Sequence, residues 1–266
     1  MSSGPITSAR NPRIKGLQLL MEKPRERREK GLFVVEGARE FKRALIAGFE
    51  AEELFISPRY LKDEEAAAAA VKCGAAVFEI PSELYDRLAC RRGAEGVIAV
   101  MRQRSVAPDD LILGENPLII VLEGVEKPGN IGAVLRSADA AGADAVLICD
   151  GGCDRYNPNL IRSSLGAAFT VQIAECTSEE GERWLRGHGI SILTAQLQDS
   201  EPYYSYDMTK GTAIVMGTED KGLSPFWRGK ADGHIRIPMA GVMDSLNVSV
   251  SAAILCFEAV RQRSCR

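Results

Sequence analysis

Three polar stretches of this chain set carboxylates, amides, hydroxyls and a guanidinium beside glycines, each after an apolar run. The first is Glu123-Gly124-Val125-Glu126-Lys127-Pro128-Gly129-Asn130-Ile131-Gly132, with Arg136 shortly beyond it. The second is Gly217-Thr218-Glu219-Asp220-Lys221-Gly222-Leu223-Ser224. The third runs from Ile237 and Met239 to Asp244-Ser245-Leu246-Asn247-Val248-Ser249. A helix start ordinarily uses one capping Ser, Asp or Asn. The third stretch crowds several such side chains with free main-chain N–H groups, which suits a polar ligand held largely by backbone. Gly129 and Gly132 fall short of the G-x-G-x-x-G dinucleotide fingerprint, and no G-x-x-x-x-G-K-[ST] phosphate loop occurs. Those absences argue against a nucleotide-cofactor oxidoreductase. On the residues alone, Asn130 reads as a ligand group or a helix cap, and Arg136 as chemistry or surface charge. The two do not share a helical stripe, but a bent loop can aim both into one pocket.

These stretches need a frame, and hydrophobic periodicity supplies one. Ile14, Leu17, Leu20 and Met21 predict a helix over about 10–21. Strand 32–35, helix 38–47, strand 54–56, a helix through Ala66–Ala70, strand 76–80, a helix capped by Ser82 and strand 96–100 make a small α/β unit. The polar, proline-containing segment from Ser105 reads as a linker, giving boundaries of 1–104, 105–115 and 116–266. Beyond it, Leu118–Leu122 is continuously apolar, as expected of a strand buried on both faces. Helix 129–141, strand 145–149, helix 158–165, strand 169–173, helix 179–188 and strand 190–195 follow. Strand 212–216, a short helix 225–229, strand 235–237 and a final helix 244–261 complete the pattern. In an open α/β sheet ligands gather at the carboxyl ends of strands, where all three polar stretches fall.

Bulk properties narrow the function class. The 266 residues, 45% hydrophobic and 26% charged, are those of a globular protein. No apolar run approaches the ~20 residues of a membrane span, and the N-terminal stretch with Pro5 and Pro12 lacks a signal-peptide core; the expectation is cytoplasmic. Seven scattered cysteines without C-x-x-C, and only His188 and His234 beside them, read as reduced structural thiols rather than a zinc site. The net charge is −3, yet residues 1–30 hold eight basic side chains against three acidic ones, and Arg91, Arg92, Arg102 and Arg104 cluster further on. Local basic patches attract phosphate even on an acidic molecule; a solvated helix face is the alternative.

Taken in order, P-G-N-I-G-A-V-L-R-S-A at 128–138, G-T-E-D-K-G-L-S at 217–224, and I-P-M followed by D-S-L-N-V-S-V-S within 237–251 resemble the SpoU (TrmH-like) family of RNA 2′-O-ribose methyltransferases, in the SPOUT class. Residues 159–167, 6–15 and 33–37 are similar to the family as well, so the resemblance spans nearly the whole chain. It implies a C-terminal α/β domain with a deep trefoil knot and a small ribosomal-protein-like N-terminal α/β domain that binds substrate RNA. It implies S-adenosylmethionine held near Thr194, Gly217, Ile237, Met239, Ser245 and Leu246, with glycine at 217 letting the cofactor approach closely. The implied reaction is in-line transfer of the sulfonium methyl to a ribose 2′-oxygen, needing neither metal nor covalent protein intermediate. Arg136 would be catalytic, with Asn130, Glu219, Ser245 and Asn247 building its surroundings. Arg10, Arg13, Lys15, Arg25, Arg27 and Arg28 would meet RNA phosphates. The resemblance also implies a homodimer with a partly shared pocket, and ribosomal RNA ahead of transfer RNA as substrate. The competing readings are a non-catalytic RNA-binding or ribosome-assembly protein on the same fold and an antibiotic-resistance methylase.

Overall fold

The computed structural model describes residues 4–61, 65, 68–69, 72, 74–89 and 95–264. In chain order its elements begin with α1 (Pro12–Glu22), α2 (Pro24–Lys30), β1 (Leu32–Glu36), α3 (Ala38–Ile46), β2 (Ala51–Ile56), β3 (Ala76–Glu79), α4 (Ser82–Leu88) and β4 (Val97–Arg102). Then come β5 (Leu118–Glu123), α5 (Pro128–Ala141), β6 (Ala145–Cys149), α6 (Pro158–Ser163), α7 (Ala167–Thr170), β7 (Gln172–Cys176), α8 (Ser178–Gly187) and β8 (Ser191–Ala195). The last are β9 (Glu201–Pro202), β10 (Thr212–Met216), α9 (Pro225–Lys230), β11 (Gly233–Arg236) and α10 (Val248–Ser264). The helix expected through Ala66–Ala70 falls in a stretch where 66, 67 and 70 lie outside the described residues, as do Arg91, Arg92, Cys73, Cys90 and Cys265.

Contacts divide the chain into two compact units, residues 1–104 with 154–170, and 105–153 with 171–266. In the first, β1 and β2 each run antiparallel to β4, and β3 lies parallel to β2, in the order β1-β4-β2-β3. Because successive side chains of a strand point to opposite faces, Phe33, Val35, Leu54, Ile56, Val97 and Ala99 build one core with Phe41 and Ala44 of α3. Val34, Phe55, Ile98 and Val100 build the other with Ile14, Leu17 and Leu20 of α1 and Leu84, Tyr85 and Leu88 of α4. The segment 154–170 adds Tyr156, Ile161 and Phe169 to the first core. The strand expected at 169–173 is instead the short helix α7 followed by β7. The Ser164 hydroxyl accepts from the Ala168 N–H at 3.2 Å and supports that turn, and a short apolar run alone does not distinguish buried strand from buried helix. Ser82 is likewise a helical residue rather than a cap; Pro81 holds the cap position.

The second unit is a parallel sheet in the order β7-β6-β5-β10-β8-β11-β9. Its central strands are apolar along their length and buried, as a sheet covered on both faces requires. Trp184, Leu185 and Trp227 join one face of the core, and α10 packs on α5, β5 and β10. The two-residue edge strand β9 has no signal in hydrophobic pattern. The final helix begins at Val248, not at Asp244. Asn247 takes the cap position, its side-chain oxygen accepting from the Ser249 N–H at 3.0 Å. Residues 237–247 thereby remain a loop. Cys149, Cys153, Cys176 and Cys256 are thiols, in no disulfide. Among the described residues no helix is long and apolar enough to cross a membrane.

Candidate active site

The loops that follow β5, β8, β10 and β11 leave the same edge of the second unit's sheet, since these four strands are parallel and adjacent. Two glycines permit the tight backbone at this edge. Gly124, at φ 63°, would set a Cβ 3.3 Å from the Thr218 methyl, so the β5 and β10 loops nearly touch there. Gly217 faces its own loop: Thr218 and Gly222 exchange backbone hydrogen bonds at 3.2 and 3.0 Å, and a Cβ on Gly217 would overlap the Gly222 carbonyl. The structure gives glycine at 217 a further reason, closure of the loop on itself. The loop is tied down further where Glu123, buried at the end of β5, accepts from the Ser224 N–H at 2.8 Å.

One carboxylate draws three loops together. Glu219 Oε1 accepts from Asn130 Nδ2 at 2.8 Å and from Asn247 Nδ2 at 2.6 Å, while Oε2 pairs with Lys127 Nζ. Asn247 Nδ2 also reaches Asn130 Oδ1 at 3.3 Å, and its own Oδ1 accepts from the Ser249 hydroxyl at 2.6 Å and the Ser249 N–H. With its oxygen committed to Ser249, the Asn247 amide can only present N–H groups to Glu219. Lys127 above all, then the two amides, hold the Glu219 carboxyl below the usual carboxylate range, and Glu219 in turn raises the Lys127 ammonium. Glu219 is thus an ionised acceptor that fixes loop positions.

Beside this network lies a cavity of about 540 Å³. Of the residues expected at a cofactor, Gly217, Ile237, Met239, Ser245 and Leu246 line it, together with Glu219 and Asn247. Thr194 does not. It is fully buried, with Oγ1 2.7 Å from His234 Nδ1, and its neighbours Ala195, Gln196 and Leu197 form the wall instead. Ser245 faces the cavity and donates to Asp244 Oδ1 at 3.2 Å, apart from the Glu219 network. Arg136 is exposed on α5, outside the cavity lining, and has no hydrogen bond or ion pair among the described residues. Lys127 and Arg228 were not singled out by sequence reasoning. Lys127 lies 92 positions from the carboxylate it meets, a separation that no local spacing rule spans.

The basic N-terminal side chains separate by burial. Arg10, Lys15 and Arg28 are exposed and without ion pairs among the described residues. Arg25 is exposed and bonded to Glu29 at 2.6 Å; Arg13 pairs with Glu53 and lies over the Phe78 ring. Arg27 is a correction. It is 1% exposed, bound to Asp154 Oδ2 at 2.6 Å and to the carbonyls of Leu20 and Met21, so its guanidinium closes the first unit and does not face RNA. Of the second basic cluster, Arg102 pairs with Glu50 and Glu52, and Arg104 donates to the Ala47 carbonyl.

Parallel strands with three glycine-bearing loops, pinned through one carboxylate beside a cavity, make a ligand-binding α/β domain, and the chain belongs to the SpoU rRNA Methylase family, whose match covers residues 117–257. Residues 11–99 match the MRM3-like substrate binding domain. The chain is 27% identical to the 23S rRNA (guanosine(2553)-2′-O)-methyltransferase RlmP of Bacillus subtilis, over 95% of this chain and 97% of that protein. It is 36% identical to the 23S rRNA (guanosine-2′-O-)-methyltransferase RlmB of Vibrio parahaemolyticus, over 72% of this chain and 80% of the relative. An AdoMet-bound rRNA methyltransferase from Sinorhizobium meliloti superposes with a TM-score of 0.89 at 30% identity, covering 98% of both chains.

Proposed function

We propose that this protein transfers a methyl group from S-adenosylmethionine to a ribose 2′-hydroxyl of ribosomal RNA, acting in the cytoplasm as a homodimer. The observation that carries the reading is the Glu219–Asn130–Asn247 network, which joins the three motif loops at one cavity wall. The cofactor fits that cavity. Its volume is in the ~300–1,000 Å³ range of small-molecule sites, and its walls combine Leu197, Met216, Ile237 and Leu246 with the polar edges of three loops. It also holds an orphaned buried donor, Arg228 Nε, a position for an anionic group. Gly217, Ile237, Met239, Ser245 and Leu246 would hold the cofactor. When bound, it supplies a sulfonium methyl group, the electrophile of the reaction.

The chain's own residues do the rest. Arg136 stays protonated in any folded protein, so it serves as an electrostatic partner for the oxygen on which negative charge develops, or for the adjoining phosphate. Its free guanidinium fork is available for that contact. Asn130 is six residues, about one and two-thirds helical turns, before it, fixed by Glu219 at the start of the same helix, so the network sets the helix that carries Arg136. Arg136 stands outside the cavity of its own chain, and a pocket shared across a dimer gives it a place. Exposed Val242, Met243, Val250 and Phe257, on the third loop and α10, offer an apolar surface for a second copy. In this reading the loops after β10 and β11 form the knot; β10, late in the chain, lies between β5 and β8. Residues 1–104 act as the RNA-binding module, 105–115 as linker and 116–266 as the catalytic domain, apart from 154–170, which packs into the first unit, with Arg10, Arg13, Lys15, Arg25 and Arg28 toward phosphate.

Ribose-methylation mapping of ribosomal and transfer RNA from cells with and without the gene tests the assignment. The expected result is one ribosomal 2′-O-methyl mark that disappears with the gene and returns with the wild type but not with Arg136→Ala. Loss of a transfer-RNA mark instead, or no loss, contradicts it.

A further inference from the structure

Arg228 lines the cavity, and nothing in the motifs or the family resemblance gives it a role. It sits in α9, a helix anchored by Trp227, which is fully buried and donates from Nε1 to the Ser178 hydroxyl at 2.8 Å. The guanidinium leans over the second loop, with Nη2 3.6 Å from where a Gly222 Cβ would stand. Its Nε is buried with no hydrogen-bond partner, and so is the Ser224 hydroxyl one helical turn before it. Among the described residues Arg228 forms no ion pair. The three carboxylates that share the cavity wall do not answer it: Glu219 is committed to Lys127, Asn130 and Asn247, Asp220 is held by the Thr218 side chain, and Asp244 accepts from Ser245. Buried guanidinium N–H groups in folded proteins have partners, and the fork geometry matches the two oxygens of a carboxylate.

We propose that Arg228 receives the carboxylate at the amino-acid end of the methyl donor, making this residue a specificity determinant of the cofactor site. The inference rests on reading the cavity as the S-adenosylmethionine site. The cofactor carries one carboxylate, and Arg228 is the cavity's guanidinium left without an acceptor; the other, Arg236, reaches the Ser200 hydroxyl at 3.5 Å. Removing the Arg228 side chain strands no partner, so the fold is expected to tolerate it.

Titration calorimetry with S-adenosylmethionine and its decarboxylated analogue, on wild type, Arg228→Ala and Arg228→Lys, tests the proposal without needing turnover. Wild type is expected to prefer the intact cofactor by tenfold or more. Arg228→Ala should lose that preference while binding the decarboxylated analogue within about twofold of wild type, and Arg228→Lys, which keeps charge but not the fork, should fall between. Equal weakening toward both compounds, unchanged discrimination, or a loss confined to RNA affinity overturns the assignment while leaving the cofactor site standing. Wild-type protein that binds neither compound overturns the cofactor reading and this assignment with it.

Discussion

Arg136 is exposed and unpaired among the described residues, so its substitution tests chemistry with little structural side effect. Arg136→Lys keeps the charge and loses the planar fork. If the guanidinium stabilises charge that develops only in the transition state, kcat falls by about 10²–10³, the range for losing one such donor, while the cofactor Kd from calorimetry stays within about twofold. Turnover near wild type would remove Arg136 from the mechanism. Glu219 gives a pH signature. Its carboxyl is held below its ordinary value, about 4.3 for Glu, first by Lys127. A depressed carboxyl contributes fully above the ordinary value and loses its contribution as pH falls through the folded one. Cofactor affinity should therefore show no Glu219-dependent change from pH 8 to 5 and should fall only once the pH has passed below the ordinary carboxylate value, a fall that Glu219→Gln abolishes. At this scale the sequence displayed the right side chains in Asn130, Glu219 and Asn247 but not their wiring. Lys127 was invisible because the carboxylate that gives it meaning is brought near only by the sheet. Arg27 misled because charge type says nothing about burial.

The loops are closed by backbone as much as by side chains. Gly217→Ala pushes a Cβ onto the Gly222 carbonyl, which cannot rotate away as a flexible side chain could. The expected cost is about 1–3 kcal/mol, typical of overpacking, read as a lower Tm, together with weaker cofactor binding; an unchanged Tm and Kd would mean the loop opens freely. Asn247→Ala removes the α10 cap and one link to Glu219 together, so it should cost more than the ~1 kcal/mol typical of a lost cap, whereas Ser249→Ala should cost less. Elements were legible where the pattern is strong. β5, β6 and β10 are long apolar runs and fell where expected. The start of α10 was misplaced because Asp244, Ser245 and Asn247 are all competent caps, and only tertiary contact with Glu219 selects the last of them. At α7, three consecutive buried apolar residues carry no period that separates strand from helix.

Across the whole molecule, basic residues near the N-terminus divide between folding and recognition. Ile14, Leu17 and Leu20 are core residues, so deleting residues 1–30 would unfold the first unit and report nothing about RNA. A matched pair of point changes separates the two roles. Arg27→Met removes one partner of the buried pair with Asp154, a loss of about 3–5 kcal/mol, with RNA affinity of the folded fraction unchanged. Arg28→Ala should leave Tm within experimental scatter and lower RNA affinity, reducing the slope of log K against log salt by about 1. If both variants behave alike in melting and in binding, the division is wrong. The α/β class and the RNA-facing character of the N-terminal region were open to sequence reading. The allegiance of 154–170 to the first unit was not, because it depends on Tyr156, Ile161 and Phe169 finding Phe33 across more than a hundred positions.

The most direct test of the central claim is nucleoside mass spectrometry of ribosomal RNA after incubation with purified protein and S-adenosylmethionine carrying an isotopically labelled methyl. The label is expected on the ribose 2′-oxygen of a single nucleoside, and its appearance should be lost with Arg136→Ala. Label on a base, or no label in ribosomal RNA with active cofactor present, would contradict the account.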